Sequence, residues 1–106
     1  MIKIEKLQKY CKEDAVVISL HAMERLRQRK IKIKDIRNCI MTGEIIEQYP
    51  EDYSYPSCLI YGITIKEKIL HVVASDEGNM SRIITAYFPD TEKFQADLKS
   101  RRRDIK

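Results

Sequence analysis

The stretch "ILHVVASDEGNMSRIITAYFP", residues 69–89, contains the pattern that decides the fold. Two runs rich in β-branched and aromatic residues flank Asp76-Glu77-Gly78-Asn79, which is a strong turn signal. The runs predict strands over Ile69–Ser75 and Met80–Phe88, and Pro89 ends the second one. Because a short turn joins the two strands, we expect them to pair antiparallel.

Two more strands are predicted directly before this hairpin. They cover Glu44–Tyr49 and Cys58–Ile65, and the acidic, aromatic loop Pro50–Pro56 separates them. A tight turn at Lys66-Glu67-Lys68 leads into Ile69. Four successive strands with short connections predict an antiparallel β-meander.

Amphipathic helices are predicted on both sides of the strands, from apolar residues that recur at helical spacing. They cover Ile2–Lys12, Leu20 to about Arg29 after an N-cap at Ser19, Lys34-Asp35 to Thr42-Gly43 with Gly43 as a C′ glycine, and Thr91 to about Arg101 with Phe94 and Leu98 as core contacts. The short stretch Ala15–Ile18 is either an extended lead-in or a brief strand. The prediction is therefore a single α+β domain over residues 1–106, with N-terminal helices packed on a meander of about four strands and a C-terminal helix.

Composition and charge narrow the class of protein. The chain has 106 residues, of which 43% are hydrophobic and 34% charged, so its composition is globular. The net charge of +4 is unevenly distributed: residues 1–41 carry +6, residues 42–79 carry −5 and residues 80–106 carry +3. This distribution favours an anionic partner on one side, although it also suits a bipolar protein surface or basic helices that are merely solvated.

The cysteines and the apolar runs point to a cytoplasmic protein. Cys11, Cys39 and Cys58 are odd in number and lack CxxC spacing, so we expect reduced, buried thiols rather than a disulfide framework or a zinc site. No apolar run reaches the roughly 20 residues that a membrane span needs. The charged N-terminus does not read as a signal peptide.

Alternation along the last two strands separates a core face from a second face. Leu70, Val72 and Ala74 are expected to pack under the helices together with Ile84, Ala86 and Phe88. The remaining side chains, His71, Thr85 and Tyr87, then lie on the less covered face, where they form a platform suited to RNA or a peptide. On the second helix, Leu20, Ala22, Met23 and Leu26 are expected on or near one side, and His21, Arg25, Gln28 and Arg29 on the other.

Four ordered motifs resemble a known family. The segments "HAMERLRQRKIKIKDIRNCIMTGEII", "YPEDYSYPSCLIYG", "LHVVAS" and "RIITAYFPD" are similar to a family of small bacterial and archaeal proteins grouped with the RelE/ParE toxin superfamily. The resemblance covers about residues 18–94. It implies a RelE-like fold and the toxin component of a toxin–antitoxin pair, with metal-independent mRNA endonuclease activity on ribosome-bound or free RNA. It also implies a cognate antitoxin partner, possibly of the zinc-finger type and similar to the MqsR system.

Matching positions carry the implied site. They are His21 and Arg25 on the helix, His71 on the third predicted strand and Tyr87 on the fourth. Metal-free RNA cleavage needs a base for the 2′-hydroxyl, an acid for the 5′ leaving oxygen and cations for the charge on the phosphorane. We expect His71 or His21 to act as base or acid, and Tyr87 to stack on a base or donate a proton. Phosphate or RNA contacts are assigned to Arg29, Arg82, Arg101, Arg102 and Arg103. Strict alternation places Arg82 on the core face unless it lies at the strand end.

The sequence has no cluster of carboxylates that would indicate a metal site, and no cofactor is expected. Two other functions fit the same residues. One is a catalytically inactive protein-binding module that engages a partner through the acidic 44–56 segment and the basic helices. The other is a small regulator that only binds nucleic acid, through Arg101 to Arg103.

Overall fold

A computed structural model describes residues 1–90 and 98–99 of the chain. Within them lie the helices α1 (Ile4–Lys12), α2 (Leu20–Gln28) and α3 (Ile33–Thr42), and the strands β1 (Val16–Ile18), β2 (Glu44–Tyr49), β3 (Ser57–Ile63), β4 (Ile69–Ser75) and β5 (Ser81–Tyr87). The α+β class is confirmed. The predicted bounds of β2 and β4 are those observed, and the other elements shift by one or two residues.

The strands form one mixed sheet in the order β1-β5-β4-β3-β2. Strands β2 to β5 pair antiparallel, as the meander requires, but β1 pairs parallel with β5. The prediction of about four antiparallel strands was therefore wrong by one strand and by its direction. Three residues are too few for a periodic signal, and the partner of β1 lies more than sixty residues later in the chain.

The core lies between the helices and one face of the sheet. Leu70, Val72 and Ala74 are fully buried there, as alternation predicts. Helix α3 approaches the sheet closely because β3 carries Gly62, where an added Cβ would lie 2.2 Å from the Cys39 carbonyl oxygen. Gly43, at the end of α3, is also a close-approach residue, because an added Cβ would lie 2.4 Å from the same carbonyl oxygen. Its backbone is extended (φ −97°), so the predicted C′ role is wrong.

A β-bulge in β5 changes which side chains face the core. Val73 pairs with Thr85 whereas Ala74 pairs with Ile83, so Ile84 is the extra residue. Ile83 and Ala86 are buried in the core, whereas Ile84 is 46% exposed. The predicted inward set of Ile84, Ala86 and Phe88 is therefore correct only at Ala86, because strict alternation fails across a bulge.

Two helix predictions also need correction. In α2 only Ala22 and Leu26 are buried, and Leu20 and Met23 are 86% and 40% exposed. The predicted C-terminal helix over Thr91 to Arg101 lies outside the described residues except at Leu98 and Lys99, which form a bend with Leu98 at φ 59°. Leu98 and Lys99 are therefore not helical. Phe94 and the run Arg101 to Arg103 lie outside the residues that the structure describes.

Helix α1 is fixed to the turn between β4 and β5 by a polar cluster. The Tyr10 hydroxyl donates to Asp76 Oδ1 at 2.8 Å, and Lys6 Nζ lies 2.9 Å from Asp76 Oδ2. Burial favours a higher pKa for Asp76, but hydrogen bonds from the Gly78 amide, Lys6 and Tyr10 outweigh it and hold the pKa below its usual value. The carboxylate therefore remains charged where it joins the two elements.

The three cysteines are free and buried, as predicted. Burial raises the pKa of the Cys39 and Cys58 thiols to about 12, so neither thiol forms a reactive thiolate near neutral pH. Among the described helices, none has the length and apolar character required to span a bilayer.

Candidate functional site

His71 and Tyr87 meet on the sheet face opposite the helices. The register of β4 and β5 places them directly across from each other, with Nδ1 of His71 3.4 Å from the Tyr87 hydroxyl. Their rings are arranged edge to face, with centroids 5.3 Å apart. His71 is fully buried and Tyr87 is half-buried. The face predicted for His71, Thr85 and Tyr87 is thus correct, but it is more covered at His71 than expected.

The hydrogen bonds of His71 fix its tautomer. Its Nε2 lies 2.7 Å from the Leu98 carbonyl oxygen, which can only accept, so Nε2 carries the proton. In a neutral imidazole Nδ1 then holds the lone pair and accepts from Tyr87. This arrangement places a basic nitrogen next to the tyrosine hydroxyl, and the half-buried Tyr87 is the more exposed member of the pair.

Lys99 closes the same face beside Tyr61. Its Nζ lies 3.1 Å from Glu44 Oε2 and 4.7 Å from the centroid of the Tyr61 ring. Tyr61 pairs with His71 across β3 and β4, and their ring centroids are 6.0 Å apart. Leu98 and Lys99 therefore cross the face above the imidazole. Sequence reasoning missed Tyr61 and Lys99. Tyr61 could have been found from the register of the β3–β4 hairpin, which places it opposite His71.

Arg29 connects the end of α2 to the same face. Its Nη1 donates to Thr85 Oγ1 at 3.1 Å and to the Ala86 carbonyl at 2.8 Å. Thr85 lies two residues before Tyr87 on one side of the strand, so Arg29 joins the polar cluster. Both bonds use Nη1, and the exposed guanidinium retains its Nε and Nη2 donors for an anion.

His21 and Arg25 extend this row along α2. They precede Arg29 by eight and four residues, so each step of the row advances about 6 Å along the helix. Both side chains are exposed, and neither makes a hydrogen bond or ion pair with the part of the chain that the structure describes. The row is therefore open to solvent. Its one fixed contact with the His71 face is Arg29, and His21 and Arg25 do not contact His71 or Tyr87 themselves.

The remaining predicted residues lie elsewhere. Arg82 is not in the core. Its Nε donates to Glu77 Oε2 at 2.9 Å, and it lines a pocket of about 300 Å³ beside Asp52 and Tyr53. This pocket lies next to Ser75, at the opposite end of β4 from Ile69. Its lining includes the carboxylates of Asp52 and Glu77. Arg82 is thus not brought together with His71. The phosphate role predicted for Arg101, Arg102 and Arg103 concerns residues outside those that the structure describes.

The arrangement can move protons and bind an anion. The hydroxyl of the half-buried Tyr87 is backed by an imidazole of defined tautomer. The Arg29 guanidinium contacts Thr85, two residues before Tyr87 in β5. Among residues 1–90 and 98–99, no three His, Cys, Asp or Glu side chains are grouped so that they could hold a metal ion.

Comparison with known proteins identifies one family. The family described as a domain of unknown function, DUF4258, matches residues 18–88, about two thirds of the chain. The match includes α2, all of β2 to β5 and the pair His71–Tyr87, and it excludes α1 and the segment at Leu98. Neither a curated protein nor a solved structure matches the chain.

Proposed function

The chain belongs to the DUF4258 family, whose description assigns no function, and we propose that it is a metal-independent RNA endonuclease of the RelE-like toxin type. The contact between His71 and Tyr87 carries this proposal, because it pairs a basic nitrogen with the hydroxyl of a half-buried tyrosine. Arg29 supports it by adding a cation to the same face. The basic N-terminal part of the chain, at +6 over residues 1–41, favours a polyanionic substrate.

In the proposed reaction, Tyr87 and His71 act as one relay. The Tyr87 oxygen accepts the proton of the RNA 2′-hydroxyl while its own proton passes to Nδ1 of His71. The 2′ oxygen attacks the adjacent phosphorus, the bond from phosphorus to the 5′ oxygen breaks, and the products are a 2′,3′-cyclic phosphate and a 5′-hydroxyl. The Leu98 carbonyl stabilises the resulting imidazolium through Nε2. Tyr87 touches the substrate in this scheme, and His71 is a positioning residue that acts through Tyr87.

The cations of α2 serve the phosphates. Arg29 lies nearest the relay and stabilises the charge that develops at the reacting phosphate. Arg25 and His21 lie farther along the same row and bind neighbouring phosphates. The 5′ oxygen takes its proton from solvent, because His21 lies about 12 Å farther along α2 than Arg29.

Expression and cleavage test the proposal. Induced expression of the wild type in bacteria should arrest growth, and the purified protein should cleave RNA in a translating extract that contains a chelator. Tyr87→Phe and Arg29→Ala should each lower the cleavage rate by at least about a hundredfold. Arg27→Ala is the matched control, because Arg27 pairs with Glu24 on another side of α2. A wild type that neither arrests growth nor cleaves RNA would sink the proposal.

The chain has two histidines, and this allows their roles to be separated. In the proposed relay, His71→Ala changes the shape of the pH–rate profile of cleavage, because no imidazole then takes the Tyr87 proton. His21→Ala should lower the rate without changing the shape of the profile, because His21 only binds a neighbouring phosphate. A merely structural role of His71 predicts lower activity with an unchanged profile.

A second candidate function rests on the burial of His71. Its ring is fully buried, and Leu98 and Lys99 lie above it. This observation favours an inactive RNA-binding module in which the imidazole only supports the sheet face. Such a protein binds RNA through the α2 row, loses binding in Arg25→Ala, and cleaves no RNA at any pH.

A further inference from the structure

An open apolar groove lies between α2 and the start of α3. Its volume is about 750 Å³, and its apolar lining includes Leu20, Met23 and Ile33, which are 86%, 40% and 48% exposed. A single exposed leucine needs no explanation, but three large apolar side chains around one concavity are typical of a binding surface. The groove is of the size in which proteins bind apolar side chains of a ligand.

The rim of the groove is basic. Arg27, Lys30 and Lys32 line it beside one carboxylate, Glu24, which is paired with Arg27. Among the described residues, the ammonium groups of Lys30 and Lys32 form no ion pair, although the backbone amide of Lys32 donates to Asp35 Oδ2 at 3.3 Å. The groove therefore selects for an occupant with an apolar face and acidic flanks. The chain's own Arg101-Arg102-Arg103 run has the same sign of charge and does not fit this rim.

The length of the groove identifies the shape of the occupant. From Leu20 to Arg27 its wall runs about 10 Å along α2. An amphipathic helix presents apolar side chains at i, i+3 or i+4, and i+7, which also span about 10 Å. A loop tip such as Tyr53, which is 98% exposed in the acidic 50–56 loop, would fill one point of the groove and leave the remainder empty.

We propose that this groove binds an acidic amphipathic helix of a partner protein. At about 100° per residue, the groove side of α2 (Leu20, Met23, Arg27) lies nearly opposite the row His21, Arg25 and Arg29. The partner helix thus docks on the helical layer and leaves the His71 face open. The inference does not depend on RNA cleavage, because binding at the groove can be measured when the protein is inactive.

Binding of a synthetic peptide tests the proposal. The probe is a fluorescent amphipathic peptide of about four helical turns, with leucines at helical spacing and glutamates and glutamines elsewhere. Full-length protein should bind it, and added salt should weaken the binding. Peptides with lysine in place of glutamate, or with scrambled order, should bind at least about tenfold more weakly, a difference of about 1.4 kcal/mol.

Variants locate the contact. Leu20→Asp and the double variant Lys30→Glu/Lys32→Glu should each weaken binding at least about tenfold. Lys66→Glu/Lys68→Glu makes the same change of charge at the β3–β4 turn and should bind the peptide like the wild type. All the altered groove residues are exposed, and circular dichroism checks that each variant is folded.

Three results would overturn the inference. The first is equal binding of the acidic and the scrambled peptides, and the second is unchanged binding by the groove variants. The third is self-association of the wild type in sedimentation that Leu20→Asp abolishes, because the groove would then hold a second copy of the chain. None of these results bears on RNA cleavage by Tyr87.

Discussion

Both faces of β4 carry a fully buried side chain, but for different physical reasons. Leu70, Val72 and Ala74 face the helices and are buried by apolar packing alone. His71 lies between them in the chain, points to the other face and is also fully buried. Its burial requires hydrogen bonds to both ring nitrogens, and Tyr87 and Leu98 provide them. The face with Leu70 therefore determines the fold. The opposite face holds the His71 imidazole, whose removal should affect the proposed RNA cleavage more than stability.

Leu70→Ala should produce the largest loss of stability. Leu70 is fully buried in the core, so its truncation removes apolar burial and leaves a cavity, at a cost of about 2–5 kcal/mol. Ile84→Ala is the control on the opposite face, where the bulge leaves Ile84 46% exposed, and it should cost less than about 1 kcal/mol. Urea unfolding of both variants measures the difference. Equal losses would contradict the assignment of the core to one face.

Asp76→Asn should have the next largest effect, at about 1–2 kcal/mol near neutral pH, because the charged carboxylate accepts hydrogen bonds from Tyr10, Lys6 and Gly78. Folding lowers the pKa of Asp76, so the carboxylate stabilises the protein above its unfolded pKa. This contribution is lost as the pH falls through the lower, folded pKa.

The pH dependence checks the sign of this effect. The unfolding free energies of wild type and Asp76→Asn should differ at pH 7 and converge as the pH falls below about 4. Asp14→Asn is the control, because Asp14 is 90% exposed in its ion pair with Arg37 and should show almost no difference at either pH. A gap between wild type and Asp76→Asn that widens in acid would show that the carboxylate does not stabilise the fold.

The sequence predicts one face of the sheet better than the other. The apolar set at 70, 72 and 74 follows from alternation, and its burial by the helices needs only the hydrophobic effect. The placement of His71 and Tyr87 on one face follows in the same way. The bulge at Ile84 could not be predicted, since it arises from the pairing of β5 with β4 and leaves no local signal in "SRIITAY". The parallel partner of β1 depends on a contact across most of the chain.

The candidate site could be predicted only in part, because its geometry also depends on tertiary packing. Helical spacing identifies the row His21, Arg25 and Arg29, but it cannot tell which member reaches the sheet. That depends on how α2 packs on β5, and the structure selects Arg29. Spacing also cannot tell which apolar residues of the predicted side are covered: Ala22 and Leu26 are buried, whereas Leu20 and Met23 line an open groove. Local patterns give the face of an element, and tertiary packing determines its neighbours.

Tyr87→Phe separates stability from chemistry on the second face. The contact of the hydroxyl with Nδ1 of His71 is long, at 3.4 Å, so the loss of that hydrogen bond should cost no more than about 1 kcal/mol of stability. The proposed relay requires that the same change abolish RNA cleavage. Thermal unfolding and cleavage are measured on one preparation. A variant that cleaves RNA like the wild type would remove Tyr87 from the reaction, and a large loss of stability would make it a structural residue.

Lys99→Ala should have a small effect on stability and the clearest effect on access to His71. Lys99 pairs with Glu44, which is 59% exposed, and an exposed ion pair contributes at most about 1 kcal/mol. Its second contact, over the Tyr61 ring, adds a similar amount at most.

The loss of both contacts should loosen Leu98 and Lys99 from the face and expose the imidazole to diethyl pyrocarbonate. Mass spectrometry can follow modification at His71, with the exposed His21 as the internal reference in the same molecule. We expect the rate at His71 to rise relative to His21 in Lys99→Ala and to remain low in Lys66→Ala. An unchanged ratio would mean that the sheet itself, rather than the Lys99 contacts, protects the imidazole, and that the two faces of β4 are closed by the same rigid packing.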